Sequence, residues 1–254
     1  MSTPAIQVEN VSKAFLLPHQ RRTSIKEVFL HPRRKIEYER VHALHDVSFE
    51  IASGEFFGVV GPNGSGKSTL LKILAGIYRA DAGAVRVNGL LSPFIELGVG
   101  FSPDLNARDN IRINGALLGL TSKEIAERFD EIVQFAELER FVDQKLKNYS
   151  SGMNVRLAFA IAIQVPFDVL LLDEVLAVGD QSFQEKCFAT FERFRQQGKT
   201  IVLVTHDLRV VSTHCDRALL LEDGVCTAFG PARDVISRYE NHGREATEVL
   251  ERAL

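Results

Sequence analysis

Residues 56–69 read Phe56-Phe57-Gly58-Val59-Val60-Gly61-Pro62-Asn63-Gly64-Ser65-Gly66-Lys67-Ser68-Thr69. An apolar run enters a glycine-rich loop that fits the pattern G-x-x-x-x-G-K-[ST], and Leu70–Ala75 follows as an apolar helix former. Strand, loop and helix in that order define a phosphate loop. Its glycines let consecutive backbone N–H groups turn inward around phosphate oxygens, and the positive end of the following helix adds to the attraction. Gly61, Asn63, Gly64, Ser65, Gly66, Lys67, Ser68 and Thr69 are therefore the candidate nucleotide-binding residues. Lys67 is expected to bridge the β- and γ-phosphates, and the Ser68 hydroxyl to ligate Mg²⁺.

Working outward, Val169–Leu172, Ile201–Val204 and Ala218–Leu221 are apolar runs of similar length, each bounded by turn residues. Continuous runs, rather than alternating ones, suit strands buried on both faces, as in a parallel sheet covered by helices. Between them lie helical patterns. Thr121-Ser122-Lys123-Glu124 is a capping box, and Ile125, Phe129, Ile132 and Val133 follow at helical spacing. Asn154–Val165 is apolar almost all round and reads as a buried helix. Strands alternating with helices give an α/β class, with residues 106–166 forming a helical subdomain inserted between the early and late strands. The run Val169–Leu172 ends in Asp173-Glu174. Successive strand residues face opposite sides, and open α/β sheets bind ligands at the C-terminal ends of their parallel strands. Asp173 is thus expected to hold Mg²⁺ through its water shell and Glu174 to polarise an attacking water. The plain alternative for the pair is an acidic helix cap.

Composition narrows the class. The chain has 254 residues, 45% hydrophobic and 25% charged, which is globular and neither disordered nor fibrous. With 30 Lys+Arg against 33 Asp+Glu and a net charge of −3, it lacks the basic excess of a nucleic-acid binder. Its apolar stretches are far shorter than the ~20 residues that cross a bilayer, and Met1-Ser2-Thr3-Pro4 does not open a secretory signal. Cys187, Cys215 and Cys226 lack close spacing and read as free thiols of a reducing cytosol.

The order of motifs resembles the ATP-binding-cassette (ABC) ATPases over residues 5–239. After the phosphate loop come Tyr149-Ser150-Ser151-Gly152-Met153, in the place of that family's signature, then Asp173-Glu174, the turn Ala177-Val178-Gly179-Asp180, and His206. The resemblance implies a phosphate-loop NTPase core with an antiparallel β subdomain and an inserted helical subdomain. It implies ATP and Mg²⁺ as ligands, with Glu174 and His206 catalytic and Ser68 and Asp173 at the metal. Ser150 and Gly152 match signature positions that reach ATP bound on a second copy, in a head-to-tail homodimer. Asp180 matches the loop crossing that interface, and His206 the histidine that senses γ-phosphate. Ser151, Met153 and Gly179 depart from the common pattern. Glu96 is the candidate replacement for a coupling-loop Gln, and Phe15 and Tyr38 are alternative adenine-stacking aromatics.

These departures resemble the cassettes that energise export of polysaccharides, O-antigens and teichoic acids. That branch shares Tyr-Ser-Ser-Gly-Met, Ala-Val-Gly-Asp and the run Glu96-Leu97-Gly98-Val99-Gly100-Phe101. It implies a subunit peripheral to the cytoplasmic face of the inner (plasma) membrane, held by a polytopic permease. Since the chain ends at Leu254, the carbohydrate-binding domain found in some members is expected to be absent. Residues 240–254 read as a short polar tail. The alternatives are a soluble ABC ATPase or an importer cassette, and the chain shows neither the long coiled coils nor the second cassette of many soluble members. Residues 16–40 form a basic insertion with Arg21, Arg22, Lys26, Arg33, Arg34, Lys35 and Arg40. Ile25, Val28 and Phe29 would line one face of a short helix there. The segment suits a membrane surface or the phosphates of a lipid-linked glycan; its plain reading is a solvated loop.

Overall fold

The computed structural model describes residues 3–18, 38–94, 98–173 and 180–241. The chain opens with two long strands, β1 (Ile6–Pro18) and β2 (Tyr38–Ile51), followed by β3 (Phe56–Val60) and helix α1 (Lys67–Leu74). Strands β4 (Ala82–Val87) and β5 (Leu91–Phe94) come next. Helices α2 (Ala107–Leu117), α3 (Ser122–Ala136) and α4 (Ser151–Ala162) then follow one another with no strand between them. The last part runs β6 (Val169–Asp173), α5 (Gln181–Gln196), β7 (Thr200–Val204), α6 (Leu208–His214), β8 (Arg217–Glu222) and β9 (Val225–Pro231). Residues 232–241 are helical.

Two sheets result. A three-stranded antiparallel sheet has the order β2-β1-β4, and a six-stranded sheet has the order β5-β6-β7-β3-β8-β9. In the larger sheet β5, β6, β7, β3 and β8 are parallel, and β9 closes one edge antiparallel to β8. The reason for the parallel sheet is visible in its side chains. Phe57, Val59, Val169, Leu171, Val202, Val204, Leu219 and Leu221 face one core, shared with β1, β2 and the Leu70, Leu71, Ile73 and Leu74 side of α1. On β6 and β7 the alternate residues Leu170, Leu172, Ile201 and Leu203 face the opposite side, where they pack with Phe159 of α4 and Phe183 and Phe191 of α5. Val60, Ala218 and Leu220 complete that side over α6 and the helix of 232–241. Burial on both faces is what makes these runs continuously apolar. A separate core, including Ile111, Ile125, Ile132, Leu146, Leu157 and Ile161, holds α2, α3 and α4 together.

The fold agrees with the expected class and refines several bounds. The signature-bearing helix starts at Ser151 and ends at Ala162, rather than spanning Asn154–Val165. Only its second half, from Leu157, is buried, because its first turns stand at the surface. Residues 16–18 and 38–40, read from sequence as part of the basic insertion, are paired strand: Leu16 faces Arg40, Leu17 faces Glu39 and Pro18 faces Tyr38. The rest of that insertion, with Ile25, Val28, Phe29 and the basic residues from Arg21 to Lys35, lies outside the described residues, as do Glu96, Glu174, the turn residues Ala177, Val178 and Gly179, and the tail beyond Asn241. No helix among the described residues is long and apolar enough to cross a membrane.

Candidate nucleotide site

The register of the large sheet puts the candidate residues at one edge. Val59 of β3 and Asp173 of β6 flank the same residue, Val204 of β7. Gly61, Asp173 and Thr205-His206 therefore leave three adjacent parallel strands at the same level, with His206 between the phosphate loop and the acidic strand end. Asp173 is half-buried and His206 exposed.

The phosphate loop is clamped from below. The N–H of Gly224, in the β8–β9 turn, donates to the Ser65 carbonyl at 3.0 Å, and the Gly224 carbonyl accepts from His45 N–H at 2.8 Å. Two glycines are sterically required here. A Cβ on Gly61 (φ +149°) would lie 2.0 Å from the Leu221 carbonyl, and one on Gly66 (φ +104°) 2.3 Å from that of Ala43. Lys67 is buried, and its ammonium donates to the Gly61 and Pro62 carbonyls at 2.7 and 2.9 Å. Within this chain the lysine thus holds carbonyls of its own loop. Two features fit an anion. The Ser65 hydroxyl is buried and has no hydrogen-bond partner among the described residues. In addition, α1 has no side-chain cap, whereas α2 to α6 are capped by Asn106, Thr121, Ser150, Asp180 and Asp207. An uncapped helix start leaves N–H donors facing outward, which is where phosphate binds in such loops. Ser68 is exposed and Thr69 half-buried in that first turn.

Ser150 and Gly152 lie at the start of α4, Ser150 as its cap and Gly152 in its first turn. The Ser150 hydroxyl accepts from Met153 N–H at 3.1 Å, so its own proton remains able to reach an acceptor outside the helix. Two residues of the signature segment, Tyr149 and Met153, have structural work. Tyr149 is buried and donates to the Phe141 carbonyl at 2.7 Å, and burial pushes its phenol up to about 12. Met153 packs into the helical core. Asp180 caps α5: its carboxylate accepts from Phe183 N–H and the Ser182 hydroxyl, both at 3.0 Å. These bonds, with the Arg156 guanidinium, hold it below the usual carboxylate range. Of the two aromatic candidates, Phe15 is half-buried with its ring edge-on to Tyr78 at 5.6 Å, while Tyr38 is 56% exposed at the strand end.

Sequence reading overlooked Arg156. It makes ion pairs to both Glu137 and Asp180, and its guanidinium lies 5.0 Å from the centre of the Phe183 ring. The signal in the sequence is its spacing, four residues after Gly152 and hence on the same helical face. Its partners, 19 and 24 residues away, are not legible locally.

A parallel sheet with a phosphate loop, an acidic strand end and an inserted helical layer defines a phosphate-loop NTPase. Comparison with known proteins gives the family. The profile described as "ABC transporter" matches residues 44–177. The O-antigen export system ATP-binding protein RfbB of Klebsiella pneumoniae is 40% identical over 240 residues, 93% of this chain and 98% of the relative. RfbB of Myxococcus xanthus is 44% identical over 219 residues, 86% of this chain and 49% of the relative, so the chain spans about half the length of that protein. An ATP-binding cassette solved as a dimer in a post-hydrolysis state, with ADP and Pi bound, superposes with a TM-score of 0.71 at 25% identity, covering 89% of this chain and 98% of that one. The chain belongs to the ABC transporter family and carries its ATP-binding domain.

Proposed function

We propose that this protein is the ATP-hydrolysing subunit of an exporter that drives a separate, polytopic permease to move a lipid-linked polysaccharide or related cell-wall glycan outward. The observation that carries this reading is the near end-to-end match, at 40% identity, to an O-antigen export ATP-binding protein. The phosphate loop and the uncapped start of α1 receive the triphosphate, and Lys67 moves from the loop carbonyls to the β- and γ-phosphates. Mg²⁺ would be held by Ser68 and Asp173, where it neutralises charge on those phosphates. Glu174, the next residue after Asp173, takes the proton of the attacking water, and His206 senses the γ-phosphate from the neighbouring strand. Phe15 is the better adenine platform, because it sits on the central strand of its sheet and is already braced by Tyr78.

Ser150, Gly152 and Asp180 complete the ATP site of a second copy. Gly152 supports this: among the described residues of its own subunit a Cβ there would meet nothing closer than the Ser150 hydroxyl, at 3.8 Å. Among the described residues no side chain or backbone group crowds that position, so nothing there requires glycine. A close approach from outside does.

The subunit sits on the cytoplasmic face of the membrane through its permease. Exposed Val99, Ile113, Leu117 and Leu118 offer a docking surface. They are contiguous, since a Cβ on Gly100 would lie 2.8 Å from Leu117 and Asn114 donates to the Val99 carbonyl. The basic segment of residues 16–40 meets the membrane surface or the phosphates of the lipid-linked substrate. Exposed Leu16, Leu17, Tyr38 and Val41 where the strands lead into it favour that contact. The reading is tested in cells that lack the chromosomal copy. The wild-type gene should restore surface glycan, whereas Lys67→Ala should leave lipid-linked glycan inside. Normal surface glycan without the protein would overturn it. Replacing Arg33, Arg34 and Lys35 with Ser should impair export yet spare ATP binding by the isolated subunit; normal export at normal protein levels would reduce the segment to a surface loop.

A further inference from the structure

Four charged side chains meet where α3, α4 and α5 come together. The Arg156 guanidinium of α4 donates to a Glu137 carboxylate oxygen at 2.8 Å and to Asp180 at 2.5 Å. Lys186 of α5 donates to the other Glu137 oxygen at 3.2 Å and to the Phe135 carbonyl at 2.9 Å. Two cations thus balance two carboxylates. Glu137 stands just after α3 in a left-handed conformation (φ +60°), unusual for a residue with a side chain. The Arg156 side chain is the most enclosed member, at 18% exposure against 46% for Glu137 and 61% for Asp180.

A guanidinium is a rigid fork that can hold two carboxylates in fixed relative positions, which a lysine cannot do. An ion network of this kind is weak evidence for stability, since an apolar side chain of similar size commonly serves as well. Its distinctive contribution is geometry. Arg156 lies one helical turn after Gly152, and its other partner is the cap of the helix that begins at Asp180. Those are the two segments assigned above to the neighbouring subunit's ATP.

We propose that Arg156 is a positioning residue for hydrolysis in the partner's site: it ties the Ser150–Gly152 helix start to Asp180 within one subunit, so that both meet the neighbouring nucleotide as one rigid unit. The proposal rests on the composite-site reading given above. Among the described residues Arg156 meets Glu137, Asp180 and the Phe183 ring and makes no hydrogen bond or ion pair to its own phosphate loop, so its loss should act on turnover and not on ATP binding.

The test replaces Arg156 with Met, which keeps the stem packed over Phe183 and leaves Glu137 and Asp180 solvated, and with Lys, which keeps the charge without the fork. Binding of a fluorescent ATP analogue by the isolated subunit should stay within about twofold of wild type, while kcat falls about 10- to 100-fold, the scale of a misplaced catalytic group. The Lys variant should fall between Met and wild type. Unchanged kcat in the Met variant overturns the proposal, and so does a loss of analogue binding in step with kcat, which would mark a general structural role. Ser150→Arg is assayed in parallel. If it too turns over normally, the composite-site reading has failed; if it is inactive while Arg156→Met is normal, only the tie has failed.

Discussion

Gly61 and Gly64 occupy one loop but are held to glycine by different constraints. Gly61 has a backbone carbonyl where a Cβ would go, whereas Gly64 (φ +81°) has open space around that position. Gly64→Ala should therefore cost only the left-handed backbone penalty, about 1–2 kcal/mol, and keep measurable nucleotide affinity. Gly61→Ala must displace either the loop or β8, and should lose more stability and nearly all binding. Urea unfolding and titration with a fluorescent ATP analogue would compare the two, and equal losses would contradict the steric account. The loop was legible in the sequence because its chemistry is local: nine consecutive residues, Gly61 to Thr69, carry the pattern. The Arg156 network was not, because a chain carries no mark of which distant carboxylates will converge. The carbonyl partners of Lys67 were equally hidden, because the motif does not say which backbone carbonyls its ammonium meets.

At the scale of elements, the period of the hydrophobic pattern did most of the work. Continuous apolar runs became the buried parallel strands, and the capping box at Thr121–Glu124 begins α3 as read, with Thr121 N–H donating to Glu124 at 2.8 Å. Thr121→Ala should cost about 1 kcal/mol, measured as a lower urea midpoint. Element ends were less legible. Ser150 caps α4 so that it starts at Ser151 rather than at Asn154, because a capping side chain decides a helix start while apolar content marks only the buried turns. Asp168 shows a contact that no local pattern announces. At the start of β6 it accepts from Leu90 N–H at 2.8 Å and from Lys199 at 3.0 Å, tying β5 and β7 to the same point. The Leu90 N–H first, then Lys199, hold its carboxyl below the usual range. A carboxylate depressed in the folded state contributes stability above its ordinary pKa, near 4, and loses it as pH falls through the lower folded value. Wild type should accordingly be more stable than Asp168→Asn at pH 7, and the gap should narrow below about pH 4. A gap that stays constant from pH 7 to pH 3 would show that the ionised form is not what matters.

Across the whole molecule, the candidate nucleotide residues lie in two parts of the fold. The phosphate loop, Asp173 and His206 gather at the edge of the large sheet, while Ser150 and Gly152 stand at the start of α4 on the helical layer. Sequence order revealed both sets; under the composite-site proposal their relation belongs to two chains and is not written in the contacts of one. If each site is built from the phosphate loop of one copy and the Ser150–Gly152 helix start of the other, two differently damaged subunits should repair each other. Lys67→Ala spoils a subunit's own loop and leaves its helix start intact; Ser150→Arg does the reverse. A two-fold dimer of one of each has one intact site and one doubly damaged site. At equal concentrations half of the random dimers are mixed and half of their sites are intact, so turnover should reach about a quarter of wild type although neither variant alone is active. The recovered activity should also rise more steeply than linearly on concentrating the mixture, because a dimer must form first. Turnover in the mixture equal to the sum of the two separate variants, at concentrations where light scattering shows dimers, would mean that each subunit hydrolyses ATP with its own residues alone.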